Sequence, residues 1–259
     1  MDRIESVSNE KIKLAVKVAT SAKHRRQTGL FFLEGLRLCR DAAVTGYEIE
    51  CTFISEGALE KLGDDLDEIL SSSKHSYVIT RSVEQKITQA QTPQGIFCLC
   101  KRRENEHKID FNGKYIALEN IQDPANFGAI CRTAEALGIN GAIIYNCCDL
   151  YNPKTQRAAM GSALRLPVIE TDSLKDTLIW LSENGMKLYA TTPRSDAEKI
   201  TATDFKGGSV AVIGNEGNGV SDEIFSLCRK ITIPMGGRAE SLNASMAAAI
   251  TMWEMMRNG

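Results

Sequence analysis

Histidine is scarce in this chain. Its 259 residues hold three, and all of them (His24, His75 and His107) fall in the first 107. The remainder must work without an imidazole, which excludes Ser-His-Asp triads and histidine general bases there. No G-x-x-x-x-G-K-[ST] stretch occurs, so a P-loop nucleotide site is excluded. The glycine run at 214–219 reads G-x-x-G-x-G and not the dinucleotide fingerprint G-x-G-x-x-G, and no acidic ribose partner follows on a neighbouring strand. No His/Asp/Glu cluster has ligand spacing, so no metal is expected. Eight cysteines are scattered, and the close pairs Cys98/Cys100 and Cys147/Cys148 match neither a zinc knuckle nor a C-x-x-C redox motif. Free thiols in a reducing cytosol are the expectation. Long apolar runs are missing too, and the opening Met-Asp-Arg-Ile-Glu has no signal-peptide character, so a cytoplasmic protein with no membrane partner is expected. A net charge of −2 gives no general attraction to nucleic acid; such a partner needs a local patch.

What is present is ordinary for a soluble globular protein: 43% hydrophobic and 25% charged residues, in a length suited to one large or two small domains. Residues 3–29 carry Arg3, Lys11, Lys13, Lys17, Lys23, Arg25 and Arg26 against Glu5 and Glu10. Ile12, Val16 and Ala19 recur at helical spacing there, which predicts a basic amphipathic helix ending near 23–26. Such a run is either a solvated face or a footprint for phosphates. Strands are predicted at 31–35, 50–55, 76–80 and 95–100, with helices at 36–45, 58–71 and 83–89 between them. This alternation makes residues 1–104 a small α/β unit. Residues 105–113 are polar and aperiodic, as expected of a linker.

Residues 114–259 read as a second α/β unit. Strands are predicted at 115–119, 141–145, 168, 187–191, 210–214 and 231–233, with helices at 127–137, 153–164, 174–183 and 221–228. Strands so spaced imply a parallel sheet covered on both faces, whose ligand loops lie at the carboxyl ends of the strands. The loops of that kind are 122–126, 214–219 and 235–241. The last carries the most information. Pro234 stops a strand, Gly236 and Gly237 permit a sharp turn, and Ser241 is a good N-cap for a helix from Leu242 nearly to the C-terminus. Leu242, Met246, Ile250 and Trp253 recur along it with alanines between, the pattern of a helix buried on more than one side. Arg238, Glu240, Ser241 and Asn243 cluster at its mouth, either as caps and turns or as a site. A site made of Asn, Arg, Glu, Ser and backbone amides positions well and suits transfer of an already activated group.

Three segments carry a resemblance: 123–134 (Asp-Pro-Ala-Asn-Phe-Gly-Ala-Ile-Cys-Arg-Thr-Ala), 213–220 (Ile-Gly-Asn-Glu-Gly-Asn-Gly-Val) and 233–245 (Ile-Pro-Met-Gly-Gly-Arg-Ala-Glu-Ser-Leu-Asn-Ala-Ser). In order and spacing they resemble the three motifs of the SpoU (TrmH-like) RNA ribose 2′-O-methyltransferases of the SPOUT superfamily. Residues 32–37 (Phe-Leu-Glu-Gly-Leu-Arg) look like the L30e-like substrate-binding domain found at the N-terminus of such proteins. The resemblance implies a knotted (trefoil) parallel-sheet domain after a small L30e-like α/β domain, S-adenosyl-L-methionine as cofactor, and a homodimer through the C-terminal domain. It carries cofactor binding to Gly214, Ile233 and Leu242, with Thr191 and Gly219 beside them. It carries catalysis to Asn126, Arg132, Glu216, Ser241 and Asn243. Arg132 is then either the base toward the ribose hydroxyl or the group that orients phosphate and steadies the developing alkoxide. Lys11, Lys13, Lys23, His24, Arg25 and Arg26 become the expected RNA contacts, with ribosomal (23S-type) RNA favoured over tRNA as target. A non-catalytic RNA-binding protein on the same fold, or a methyltransferase of small molecules or proteins, stands as the alternative.

Overall fold

The computed structural model describes residues 1–103, 108–194 and 196–257. Residues 105–107 of the expected linker lie outside the described residues. The chain packs as two units, Met1–Glu104 with Asp149–Leu164, and Asn105–Cys148 with Arg165–Gly259.

The first unit is a mixed five-stranded sheet. Its strands are β1 (Asp2–Ile4), β2 (Leu30–Glu34), β3 (Ile49–Ser55), β4 (Ser73–Ile79) and β5 (Ile96–Lys101), in the order β1-β4-β3-β5-β2. β5 runs antiparallel to β2 and β3, while β1, β3 and β4 are parallel. Side chains alternate across a strand. Phe31 and Leu33 therefore enter one apolar layer with Ile49 and Ile54, and Phe32 enters the other with Ile12, Phe53 and Phe97. Helices Glu10–Thr20 and Arg81–Ile87 supply Ile12, Val18, Val83 and Ile87 to the second layer, and helix Leu36–Val44 supplies Leu38 and Ala42 to the first.

The basic N-terminal stretch differs from expectation. It begins with β1, and Asn9 caps the first helix by accepting from Lys11 N at 2.9 Å. Ser21, extended at φ −130°, then separates Glu10–Thr20 from a second helix, Ala22–Thr28. Arg25, expected to face RNA, is corrected: its side chain is 3% exposed. Its Nε donates to Asp149 at 2.6 Å and its Nη1 to the carbonyls of Val18 at 2.7 Å and Ala19 at 3.3 Å. A guanidinium carries five donors, and burial is tolerated only when they find acceptors. Replacing Arg25 with alanine would strand the Asp149 carboxylate and is expected to cost about 3–5 kcal/mol. A thermal melt of Arg25→Ala that matches wild type would overturn this reading.

The helix expected over 153–164 breaks into Pro153–Ala159 and Ser162–Arg165, because Met160 takes a left-handed conformation at φ 51°. Residues 149–164, read from sequence as part of the second unit, pack with the first. Tyr151 packs against Phe31 with ring centroids 4.5 Å apart and planes tilted by 41°, and Leu164 joins the same cluster.

The second unit is an all-parallel seven-stranded sheet. Its strands are β6 (Lys114–Glu119), β7 (Gly141–Tyr145), β8 (Val168–Glu170), β9 (Lys187–Thr191), β10 (Glu198–Lys199), β11 (Ser209–Ile213) and β12 (Arg229–Thr232), in the order β10-β12-β9-β11-β6-β7-β8. Strand order reverses between β6 and β11, so the crevice beyond their carboxyl ends is where this architecture binds ligands. The expected helix 221–228 is a single turn, Asp222–Phe225, because the chain enters β12 at Arg229.

The terminal helix also needs correction. It spans Ala244–Arg257, and Asn243 does the capping expected of Ser241, its Oδ1 accepting from Ser245 N at 2.9 Å. Ala244, Ala248, Met252 and Met255 are buried. Leu242, Met246, Ile250 and Trp253 are exposed in the single chain, Met246 at 54% and Trp253 at 55%. One face is core; the other is an uncovered apolar stripe.

Candidate active site

The site begins at the end of β6. Glu119 closes an otherwise apolar strand and is 4% exposed. Its two oxygens accept from Ser221, from the backbone N at 2.9 Å and from Oγ at 2.6 Å. This ties the end of the loop after β11 to the end of β6. Asn120 follows at φ 58°, a region its short polar side chain tolerates, and its carbonyl accepts from Asn215 Nδ2 at 2.9 Å. Asn215 Oδ1 in turn accepts from Gly217 N at 2.8 Å and Asn218 N at 3.3 Å, an Asx-type turn. The 214–221 loop is thus pinned to β6 at both ends.

Asp123 starts the next helix, Pro124–Leu137, by accepting from Ala125 N at 2.7 Å, with Pro124 in the first turn. That fixes Asn126 in the same turn. Its Nδ2 donates to Glu216 Oε1 at 2.5 Å, and its Oδ1 accepts from Asn243 Nδ2 at 3.0 Å. Asn243 Oδ1 accepts from Ser245 N and from Ser245 Oγ, the latter at 2.6 Å. Three segments, the first separated by 90 and 117 residues from the other two, meet in one hydrogen-bonded row, Glu216–Asn126–Asn243–Ser245.

Two expected catalytic residues stand outside this row. Arg132 is exposed on the same helix, about 120° around the axis from Asn126 by helical geometry. Among the described residues it has no ion pair or hydrogen-bond partner. Ser241 lines the adjacent cleft and also makes no hydrogen bond among the described residues.

That cleft has a volume of about 410 Å³. Loops 191–194, 213–220 and 233–242 form its walls, so Thr191, Gly214, Gly219, Ile233 and Leu242 all line it. Thr191 Oγ1 donates to Val212 O at 3.1 Å and so bridges β9 to β11. A Cβ on Gly214 would lie 2.1–2.2 Å from the backbone of Gly219 and Val220, so only glycine fits there. Ile213, Val220, Phe225, Ile233 and Leu242 give apolar surface for a flat heterocycle. Asp222, Glu216 and Glu240 give negative charge for a cation, and Arg194 a partner for a carboxylate. The volume falls in the range of small-molecule sites. This donor set fits S-adenosylmethionine, an adenosine joined to a sulfonium amino acid.

Nucleophilic thiols play no part nearby: burial pushes Cys131, Cys147 and Cys228 up to about 12, so all stay protonated near neutral pH. Among the described residues, no group of three or more His, Cys, Asp or Glu side chains could hold a metal ion. Glu119, Asn120 and Asn215 were not anticipated as site residues. A charged residue closing a buried apolar strand at a sheet's carboxyl edge was the available signal for the first.

A parallel sheet with a cofactor-sized cleft at the carboxyl ends of β9, β11 and β12, flanked by positioning amides, suits a group-transfer enzyme. Comparison narrows this. Residues 113–253 match the model of the SpoU rRNA Methylase family, and residues 9–98 match the MRM3-like substrate binding domain. The chain is 29% identical over 259 residues, 98% of its own length and 99% of the relative's, to the 23S rRNA (guanosine(2553)-2′-O)-methyltransferase RlmP of Bacillus subtilis. It is 31% identical over 86% of its length and 94% of the relative's to a putative TrmH family tRNA/rRNA methyltransferase of Staphylococcus aureus. The structure superposes with TM-score 0.88 and 27% identity on an AdoMet-bound rRNA methyltransferase from Sinorhizobium meliloti, over 99% of this chain and 97% of that one.

The chain belongs to the SpoU rRNA methylase family. It is an S-adenosylmethionine-dependent RNA 2′-O-methyltransferase with an MRM3-like substrate-binding domain at its N-terminal end. The α/β reading of both units and the cofactor stand. Among the described residues no helix is long and apolar enough to cross a membrane.

Proposed function

We propose that the target is ribosomal RNA, of the 23S type, methylated on one ribose in preference to tRNA. The observation that carries this is end-to-end similarity to RlmP, across both units and with nearly the same length. When bound, S-adenosylmethionine supplies an electrophilic methyl group. The ribose 2′-oxygen would accept that methyl as the sulfur–methyl bond breaks, leaving the neutral thioether S-adenosylhomocysteine, with the hydroxyl proton passing to solvent. The protein's part is positioning and charge. Asn126, held between Glu216 and Asn243, fixes the surface on which the ribose lies. Arg132, a cation with no ion pair or hydrogen bond among the described residues, engages the neighbouring phosphate and steadies the negative charge growing on the oxygen. Ser241, whose hydroxyl makes no hydrogen bond among the described residues, hydrogen-bonds the ribose.

The active form is a homodimer through the C-terminal domain, in the cytoplasm. The stripe Leu242, Met246, Ile250 and Trp253 supports this, since exposed apolar side chains on one helix face are a common interaction surface. Trp253→Glu is expected to yield a folded monomer in size-exclusion chromatography with light scattering. An unchanged dimer would place the contact elsewhere.

The function is tested by transferring labelled methyl groups from S-adenosylmethionine into total RNA from cells lacking this protein, then mapping the label. Label at one ribose of the large ribosomal RNA is the expected result. Label in tRNA alone would overturn the preference for ribosomal RNA.

A further inference from the structure

The first unit holds a cleft of about 1170 Å³, and none of its lining residues comes from the basic stretch 10–28. It opens at one edge of the sheet, at the carboxyl ends of β2, β3 and β4 and the amino end of β5. Three cations stand on it from three elements. Arg37 lies in the first turn of the helix after β2, Lys61 near the end of helix Glu56–Leu62 after β3, and Arg81 begins the helix after β4. All three are exposed, and none has an ion pair among the described residues. The other lining charges are less available. Arg40 is held by Asp65 at 2.7 Å, Glu56 pairs with Arg3, and Asp41 and Glu84 are half-buried.

The walls are built before any ligand arrives. Glu34 accepts from Thr88 Oγ1 at 2.5 Å and from Gln89 N at 2.8 Å, and Gln94 Oε1 accepts from Leu36 N at 2.8 Å. These bonds strap the turn at 34–37 to the loop 88–94. Gly35 at φ +99° and Gly95 at φ +73° let the two segments approach; a Cβ on Gly95 would sit 2.1 Å from Ser55 Oγ.

The basic N-terminal helices, by contrast, have committed much of their charge. Arg25 is buried, Lys13 pairs with Glu10 at 2.6 Å, and Lys11 lies over the Tyr77 ring at 5.3 Å. Lys23, His24 and Arg26 remain of the six expected RNA contacts.

We infer that this cleft, and not the N-terminal helices, is where the first unit grips its RNA: a loop or single-stranded segment whose phosphates meet Arg37, Lys61 and Arg81. The cleft exceeds the usual upper bound of about 1,000 Å³ for a small-molecule site. Cations spread over three elements suit a chain of phosphates, and the apolar side chains of Leu36 and Pro93 in the same lining offer unstacked bases a surface. The inference rests on the RNA-methylating function and names the surface that would select its target.

The test is equilibrium binding of fluorescently labelled fragments of total ribosomal RNA across a salt series. It compares wild type, Arg37→Glu/Arg81→Glu, Arg37→Gln/Arg81→Gln and Lys23→Glu/Arg26→Glu, with melting curves confirming that each is folded. The reversal at 37 and 81 is expected to weaken binding at least about tenfold and to flatten the slope of log K against log salt by about 1.4, two single-strand phosphate contacts. The neutral pair should fall between it and wild type. Wild-type affinity and slope in the Arg37/Arg81 variants, loss confined to the Lys23/Arg26 variant, or no RNA binding by wild type would each overturn the inference. Methyl transfer by wild type onto the same fragments reads the proposed target separately.

Discussion

Arg132→Ala protein is expected to methylate RNA about 10²–10³-fold more slowly than wild type, the scale on which one preorganised charge-stabilising donor acts. Its affinity for S-adenosylmethionine should stay within about threefold of wild type, because a residue that acts on the transition state alone leaves ground-state binding intact. The reasons are positional. Arg132 is exposed, is absent from the lining of the cofactor cleft, and has no ion pair among the described residues. Removing it therefore leaves no partner stranded and opens no cavity, so a structural cost has no source. On the proposed reading, what is lost is a fixed positive charge where a poor nucleophile must become an alkoxide. Lysine is expected to restore only part of the rate, since it cannot present the guanidinium's paired donors to a phosphate. Single-turnover methyl transfer beside calorimetric cofactor binding decides it. A large loss of cofactor affinity in Arg132→Ala would contradict the placement.

Gly214→Ala should fail in the opposite way. Its Cβ would lie 2.1 Å from Gly219 C and 2.2 Å from Val220 N, which are backbone atoms and cannot swing aside. The 214–221 loop is pinned by Glu119 and Asn215, so it relieves the clash only by giving up the shape of the cleft wall. Overpacking of this kind costs about 1–3 kcal/mol, or about 5–150-fold if it falls wholly on the bound geometry. Cofactor affinity is expected to drop by that factor, and methylation with it. Two controls separate clash from a general loop effect. Gly217→Ala brings its Cβ only to 3.3 Å from Asn215 Oδ1, and Gly236→Ala meets nothing within 4 Å. Both should bind the cofactor as wild type does. Normal binding by Gly214→Ala would show that the wall is more yielding than the contacts imply.

Periodicity located nearly every strand of both sheets because buried strands announce themselves as short apolar runs between turn residues. It missed β1 and β10, which are three and two residues long and sit at sheet edges, where little burial is demanded of them. The terminal helix shows a different limit. Its apolar residues point in two directions, but periodicity cannot say whether the second direction meets the same chain or another. Ser241 and Asn243 are equally good caps by residue type; only the hydrogen bond to Ser245 N separates them. Arg25 sits in a basic run like its neighbours, and its acceptor Asp149 is 124 residues away. No local pattern could mark one cation of that run as buried. The row Glu216–Asn126–Asn243 was legible as residues through the three-motif resemblance, whereas its hydrogen bonding depends on the order in which strands enter the sheet.

The excursion at 149–164 bears on how this protein can be dissected. A cut at the polar stretch near residue 105, where sequence invites one, does not yield two complete pieces. The N-terminal fragment would lack Tyr151 and Leu164 from its apolar layer, and would leave the Arg25 guanidinium buried without its carboxylate. The C-terminal fragment would carry those same apolar groups on a sixteen-residue insertion with no core to receive them. Neither half is an independent module, so a functional exchange of substrate domains between relatives has to carry this insertion along with the N-terminal sheet.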